Sequence, residues 1–433
     1  MALNDTEQLE KEDKELKVPA EESAAHPAEV PAEEAVPEQS APPVSRRKSK
    51  KLDAEEALRN FDGREVAAPK KRKYGWVGTL LLLAVIGLSI WMMLEIVMVN
   101  GDEAKSLGEI LSASSWQFAL VSVAVILVIM ICDCIKYEIV LITTTKKRNP
   151  ATAIKVAFLG KFYDNVTPFA AGGQPMQIYY LHKKGISGGI SSAVILIKYM
   201  VQMCVYCLVS LVFMAAGTGV VNTLAGTERT VIIVFGWIGL AVNMILPLAV
   251  LLFAVLPKFA KALASFIVGI GHKIKIVKDK EKTMAKAEAV VNDYRSGFVI
   301  MAHHPVQFIL LILACVAEVL LTFSFPYFMM KTFSGLTADD GFTVLLQVMT
   351  MNIYVIQAVA IIPTPGNTGA MEGLGALAFS AFVTGSIQFW SMFGWRFAVY
   401  YVYIVVGLGI TIFDFIRRLV RAKRNKKNKE DGV

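Results

Sequence analysis

An all-α, polytopic membrane fold is what this 433-residue sequence predicts: six full spans and two broken helical hairpins in an inverted repeat, behind a disordered N-terminal tail. Three observations carry that expectation. Hydrophobic residues make up 55% of the chain and charged ones only 18%, with a mean hydropathy of +0.52, whereas soluble domains sit near ~45–50% and ~25%. Six apolar segments are long enough to cross ~30 Å of hydrocarbon, which takes roughly 20 helical residues. Lys and Arg gather in one set of connections and are nearly absent from the other. The formal net charge of +8 therefore comes with too little polar surface for a soluble nucleic-acid-binding domain. The five cysteines (Cys132, Cys134, Cys204, Cys207, Cys315) lie inside apolar runs, which excludes a disulfide framework.

Residues 1–73 stand apart from the membrane domain, 74–420. The first 40 carry 12 acidic and 3 basic side chains among Pro and Ala, and residues 41–73 reverse the balance with 11 basic against 5 acidic. Such a stretch buries too little to offset its chain entropy and reads as a disordered cytoplasmic tail. It is no signal peptide, because an acidic leader precedes the apolar run that starts at Trp76. The full spans are expected at about 76–98, 116–140, 190–216, 230–256, 306–330 and 395–416. Two further stretches, about 151–182 and 341–383, are interrupted near their middles by Pro, Gly and amide residues. A basic cytoplasmic tail, 421–433, closes the chain.

Orientation follows from the basic clusters Lys70–Lys73, Lys146–Arg148, Lys183–Lys184, the 257–304 linker and the segment from Arg417 onward. Placing all of them in the cytoplasm makes both termini cytoplasmic. The count closes only if 151–182 enters and leaves on the inside and 341–383 on the outside. Two crossings by each segment as a tight hairpin satisfy the same count. With re-entrant segments the halves repeat with opposite sense, the arrangement by which secondary transporters build a site at the midplane; the alternative is eight ordinary spans, two of them kinked. The linker places Phe259, Leu263, Phe266, Ile267 and Ile270 on one helix face, with nine basic against four acidic residues. That suits a helix lying on anionic lipid, or one packed against the ends of the spans.

The broken segments hold the candidate chemistry. In the first, Asp164, Asn165 and Thr167 bond local backbone and stop a helix, Pro168 removes a donor, and Gly172-Gly173 lets the chain turn before a half-helix at about Gln174–Leu181. Its free N–H groups form a ready site for an anion such as a phosphate, with Lys161 adding a full charge. In the second, Pro363 and Pro365 end a helix, Gly366, Asn367 and Gly369 open the next, and Glu372 falls in its first turn. That carboxylate is either a cap or a protonatable, cation-binding group in a substrate path. Glu318 sits near the middle of its span with no basic residue in its own helix. Lys198 and Gln202 share one face, Asp133, Lys136 and Glu138 suit local pairing, and Arg396 beside Trp395 reads as an interfacial anchor.

Enzyme and cofactor signals are absent. Gly185-Ile-Ser187-Gly-Gly189 fits G-x-S-x-G but lies in a loop between membrane helices rather than after a strand. Gly160-Lys161 is followed by Phe162, so no phosphate-binding P-loop forms. Cys204-x-x-Cys207 has no second ligand pair, and the histidines make no i, i+4 pair, so no metal or cofactor is expected.

The two broken segments resemble the bacterial lysylphosphatidylglycerol synthase transmembrane-region family, which includes the flippase domain of the multiple peptide resistance factor. The matching stretches are Asn165-Val-Thr-Pro168-Phe-Ala-Ala-Gly172-Gly173-Gln174-Pro175 with Tyr179-Tyr180-Leu181 and Lys184-Gly185, and Pro363-Thr-Pro365-Gly366-Asn367-Thr-Gly369-Ala-Met371-Glu372-Gly373. Asn367 stands where many members have a second glycine. The resemblance covers roughly 75–416 and implies translocation of phospholipid, with aminoacylated, lysyl-phosphatidylglycerol-type lipid as cargo and antibiotic resistance as the outcome. The substrate site expected from the broken segments comprises Lys161, Asp164, Asn165, Thr167, Gly172, Gly173, Gln174, Glu318, Gly366, Asn367, Gly369 and Glu372: the half-helix N-termini at Gly172–Gln174 and Gly366–Gly369 would hold a headgroup, Asn165, Thr167 and Gln174 would orient it, and Glu372 and Glu318 would attract its amine. Full-length members also transfer lysine from charged tRNA through a large soluble domain. Only some 17 residues follow the last expected span, so the expectation is a transporter without that chemistry. The alternative is a phosphatidylglycerol lysyltransferase, or its membrane component acting with a soluble aminoacyltransferase partner. No direct nucleic-acid contact is expected, and a homo-oligomer is compatible with the reading.

Overall fold

The computed structural model describes residues 107–430, apart from short internal stretches of which 274–278, 289–298 and 337–340 are the longest, together with positions 87 and 91. The expected tail 1–73, the first span 76–98 and much of the linker after Lys273 lie outside the described residues. All regular structure among the described residues is helical. In chain order it comprises α1 (Leu107–Ala113), α2 (Trp116–Thr145), α3 (Pro150–Val166), α4 (Gly173–Lys183), α5 (Gly188–Ala216), α6 (Gly226–Val255), α7 (Pro257–Lys273), α8 (Pro305–Thr332), α9 (Phe342–Val359), α10 (Ala370–Phe379), α11 (Gly385–Arg396) and α12 (Val402–Glu430).

Among the described residues, six stretches are long and apolar enough to cross a membrane: Trp116–Thr145, Ile190–Ala216, Gly226–Ile245, Pro305–Thr332, Phe342–Val359 and Gly385–Asp414. Five coincide with expected spans. The sixth is the incoming arm of the second broken segment; its 18 residues reach about 27 Å at 1.5 Å per residue. Polarity in α2 is arranged for a lipid surround. Leu120, Val123, Leu127 and Ile131 are exposed, while Ser122, Val125, Ile129, Asp133 and Lys136 are buried. A soluble helix does the reverse.

Both broken segments fold by the same local rule. A threonine precedes a proline, whose ring pushes the preceding residue out of the helical region. Thr167 (φ −118°, ψ 145°) ends α3 and Thr364 (φ −94°, ψ 147°) follows the end of α9; a short 3₁₀ turn succeeds each, Pro168–Ala170 and Pro365–Asn367. In each hairpin a long arm is followed by a short one, 17 then 11 residues in the first and 18 then 10 in the second. The short arms span roughly half a bilayer at 1.5 Å per residue.

The repeat is visible in the packing. In the first half α2 packs on α3 and α5, and α4 on α3 and α5; in the second, α8 packs on α9 and α11, and α10 on α9 and α11. The corresponding helices α2 and α8 lie side by side and antiparallel. The backbone N–H of Ser115 donates to the Thr332 carbonyl (2.9 Å), while Lys136, further along α2, meets Glu318, further back in α8. Opposite running of equivalent helices is what an inverted repeat requires. Elsewhere close approach relies on glycine, as in other membrane bundles: a Cβ at Gly239 of α6 would overlap the Gln357 carbonyl of α9. The linker begins as the expected helix, α7, on which Phe266 and Ile270 are exposed and Val268 is buried.

Candidate functional site

The two hairpin apices meet. Asn165, just before the first apex, donates its amide to the Tyr400 carbonyl, and the Tyr400 hydroxyl donates back to the Asn165 carbonyl, both at 3.4 Å. The same phenol lies 3.5 Å from Thr368 Oγ1 in the second apex. Tyr400 belongs to a π turn, Phe397–Tyr401, between α11 and α12. Its ring packs against Gly366, where a side chain would overlap it and where φ is +59°, so glycine is demanded twice over.

Beside the apices lies a cavity of about 300 Å³, lined by Lys161 and Asp164 of α3, Gln174 and Gln177 of α4, Lys198 and Gln202 of α5, Asn243 of α6 and Asn367 of the second apex, with Tyr137, Tyr199 and Tyr206 among its other walls. Both broken segments therefore contribute to one polar recess inside an apolar exterior. Irregular backbone at this depth is tolerable where it lines such a recess.

Behind the cavity sits a buried charge cluster. Lys136 is fully enclosed and ion-pairs with Asp133 (3.0 Å) on its own helix and with Glu318 of α8. Its ammonium also donates to Gln202 (2.5 Å). Lys198 reaches Asp133 at 3.4 Å and lies over the Tyr137 ring at 4.8 Å. Lys161 reaches Glu318 at 3.6 Å and is the most open of the three lysines, 38% exposed. Three cations thus face Asp133, Glu318 and the neighbouring Asp164, so the formal charges balance. Such a cluster is tolerable because each removal from water is offset by a partner.

Four of the residues expected at the site line the cavity: Lys161, Asp164, Gln174 and Asn367. Glu318 stands behind them through its two lysines. The others shape the apices. Gly173 N–H donates to Asp164 (2.8 Å) and Gly172 N–H to Thr167 Oγ1 (2.9 Å), so these donors of α4 are engaged within the chain. A Cβ on Gly173 would collide with the Asp164 carboxylate and one on Gly172 with Thr167. Gly369 N–H donates to Glu372 (2.7 Å), whose other oxygen accepts from Arg396 Nε (2.8 Å). Glu372 is fully buried and does not line the cavity. Arg396 also donates to the Gly366 carbonyl (3.3 Å) and stacks on Tyr400 at 4.5 Å.

Arg396 corrects an expectation. Read as an interfacial anchor, it is 4% exposed, and Trp395 is 3% exposed. The helix begins at Gly385 rather than near 395, which sets Arg396 about 16 Å inside at 1.5 Å per residue. Asp133, Lys136 and Lys198 were the least conspicuous of the intramembrane charges in sequence. Their signal was that ionisable residues occur well inside several different apolar segments, where only mutual pairing makes them tolerable. Glu138 pairs differently from its neighbours, accepting from the Asn149 N–H (3.1 Å) at the start of α3. Among the described residues no three His, Cys, Asp or Glu side chains converge as a metal site.

Neither a curated protein nor a solved structure matches this chain. The model of the lysylphosphatidylglycerol synthase TM region matches residues 59–407, a span that contains both broken segments, the cavity and the charge cluster. A multi-pass helical bundle with this match is a member of the lysylphosphatidylglycerol synthase transmembrane-region family.

Proposed function

We propose that the protein is a lipid transporter of the flippase type, which holds a phospholipid headgroup in the cavity between the two hairpins. The observation that carries this reading is the mixed-charge recess walled by both apices, inside a bundle whose outer face is apolar. Lys161 and Lys198 supply cations for a phosphate, Gln174, Gln202 and Asn367 supply amides to orient it, and Asp164 supplies a carboxylate for an amine. An aminoacylated headgroup carries all of these features. The reading sets the protein in a bacterial cell membrane with cytoplasmic termini, and its basic segments beside anionic lipid.

The test compares lipid sidedness and lipid composition in cells with and without the protein. Lys198→Met and Gln174→Ala are expected to reduce outer-leaflet aminoacyl lipid about tenfold, the loss of one ~1.4 kcal/mol interaction, at normal expression. Unchanged sidedness in both variants overturns the site. New aminoacyl-phosphatidylglycerol made by the protein alone would instead favour a lysyltransferase.

A further inference from the structure

A buried glutamine sets the direction of a neighbouring phenol. Gln177 of α4 is 3% exposed and lies across α3 where Gly160 makes room for it; a Cβ at that glycine would overlap the Gln177 amide. The amide nitrogen donates to the Val156 carbonyl of α3 (2.9 Å) and to the Tyr137 hydroxyl of α2 (2.6 Å). A backbone carbonyl can only accept, so the first bond fixes which end of the amide is the nitrogen. The second then fixes the role of Tyr137: its oxygen is the acceptor of that bond, and its own hydrogen is left to donate elsewhere.

Tyr137 lines the cavity although it is only 4% exposed. Among the described residues no acceptor takes its hydrogen. A donor enclosed without an acceptor is costly, and the recess is the space from which an acceptor can reach it. The Lys198 ammonium lies 4.8 Å from the centre of the same ring, so a full charge and a neutral donor stand together on one wall. The two differ in what binding requires of them. Lys198 reaches Asp133 (3.4 Å) and Lys161 reaches Glu318 (3.6 Å), so an oxyanion draws either lysine only in competition with a carboxylate. The phenol hydrogen has no such partner to leave. It also adds nothing to the formal charge of the recess, so it serves an anionic and a zwitterionic phosphodiester alike.

We infer that Tyr137, set in place by Gln177, donates its hydrogen to a phosphoryl oxygen of the bound headgroup and so reads the phosphodiester independently of what is attached to it. This deepens the headgroup reading and rests on it. Tyr137 is then a specificity-determining residue and Gln177 its positioning residue: a lipid without phosphate forfeits the bond, while amine-bearing and glycerol-bearing headgroups both gain it.

The experiment titrates the purified full-length protein in neutral detergent, by calorimetry, with dihexanoyl-phosphatidylglycerol, dihexanoyl-phosphatidylethanolamine and inorganic phosphate. Tyr137→Phe keeps the ring beside Lys198 and removes only the hydroxyl. It should weaken both lipids by the same factor of about tenfold, the size of one bond to a charged oxygen, with their ratio unchanged. Gln177→Met should weaken both lipids in the otherwise wild-type protein and add nothing in Tyr137→Phe; equal loss in both backgrounds overturns the positioning role. Should Tyr137→Phe not fold, unchanged lipid affinity in Gln177→Met overturns the inference. Unchanged affinity in a folded Tyr137→Phe, or a loss confined to one lipid, overturns it and leaves the headgroup site standing. Absence of lipid binding by the wild-type protein overturns the headgroup site and the inference together; binding of inorganic phosphate alone is that outcome, with a free anion as the ligand.

Discussion

Replacing Glu372 by Ala should be among the most damaging single changes in the membrane domain. Its side chain is fully buried and Arg396 only 4% exposed, with Nε at 2.8 Å from Oε1. The second oxygen caps α10 through the Gly369 N–H at 2.7 Å. Loss of the carboxylate leaves a guanidinium enclosed with the Gly366 carbonyl and the face of Tyr400. Breaking a buried pair from one side costs about 3–5 kcal/mol, and loss of a cap adds about 1 kcal/mol. In detergent that corresponds to a drop in melting temperature on the order of 10 °C. The assay is thermal unfolding followed by tryptophan fluorescence, on Glu372→Ala, Arg396→Ala and the double variant. Coupling should make the double variant less unstable than the sum of the singles by about 2–3 kcal/mol. Additive losses, or an unchanged melting temperature for Glu372→Ala, would refute the pairing argument.

Three further outcomes follow from the same packing. Gly366→Ala combines a left-handed backbone with overlap against Tyr400 and should cost about 2–4 kcal/mol, read as a lower melting temperature and lower yield. Lys136→Met leaves Asp133 and Glu318 short of a cation and should destabilise by about 3–5 kcal/mol; adding Glu318→Gln should recover part of that loss in the same melt. The bridge from Lys155 to Asp414 (2.8 Å) is more open, 24% and 18% exposed, so Lys155→Ala should stay within about 1 kcal/mol of the wild type, and a larger drop would show that it lies deeper than its accessibility indicates.

Topology was readable in the sequence because it is written in local chemistry. Pro168 and Pro365 dictate where their preceding threonines leave the helix, so two broken segments emerge without tertiary knowledge. Partner choice was not readable. Lys136 and Glu318 are 182 positions apart, and nothing in either helix names the other. Arg396 was misplaced because the helix start at Gly385 is set by a glycine at φ +60° after a turn, while the apolar run alone suggested a start ten residues later. Glu372 left a choice between cap and functional carboxylate. It is a cap and the partner of Arg396 at once.

The halves of the bundle match in path and differ in substance. Of the six ionisable groups at the cluster, Asp133, Lys136, Lys161, Asp164 and Lys198 belong to the first half and only Glu318 to the second. The second half instead spends its buried charge on holding its own apex, through Glu372 and Arg396. The repeat is therefore symmetric in path and one-sided in charge: turned over, the bundle would not present the same ionisable groups to the same recess.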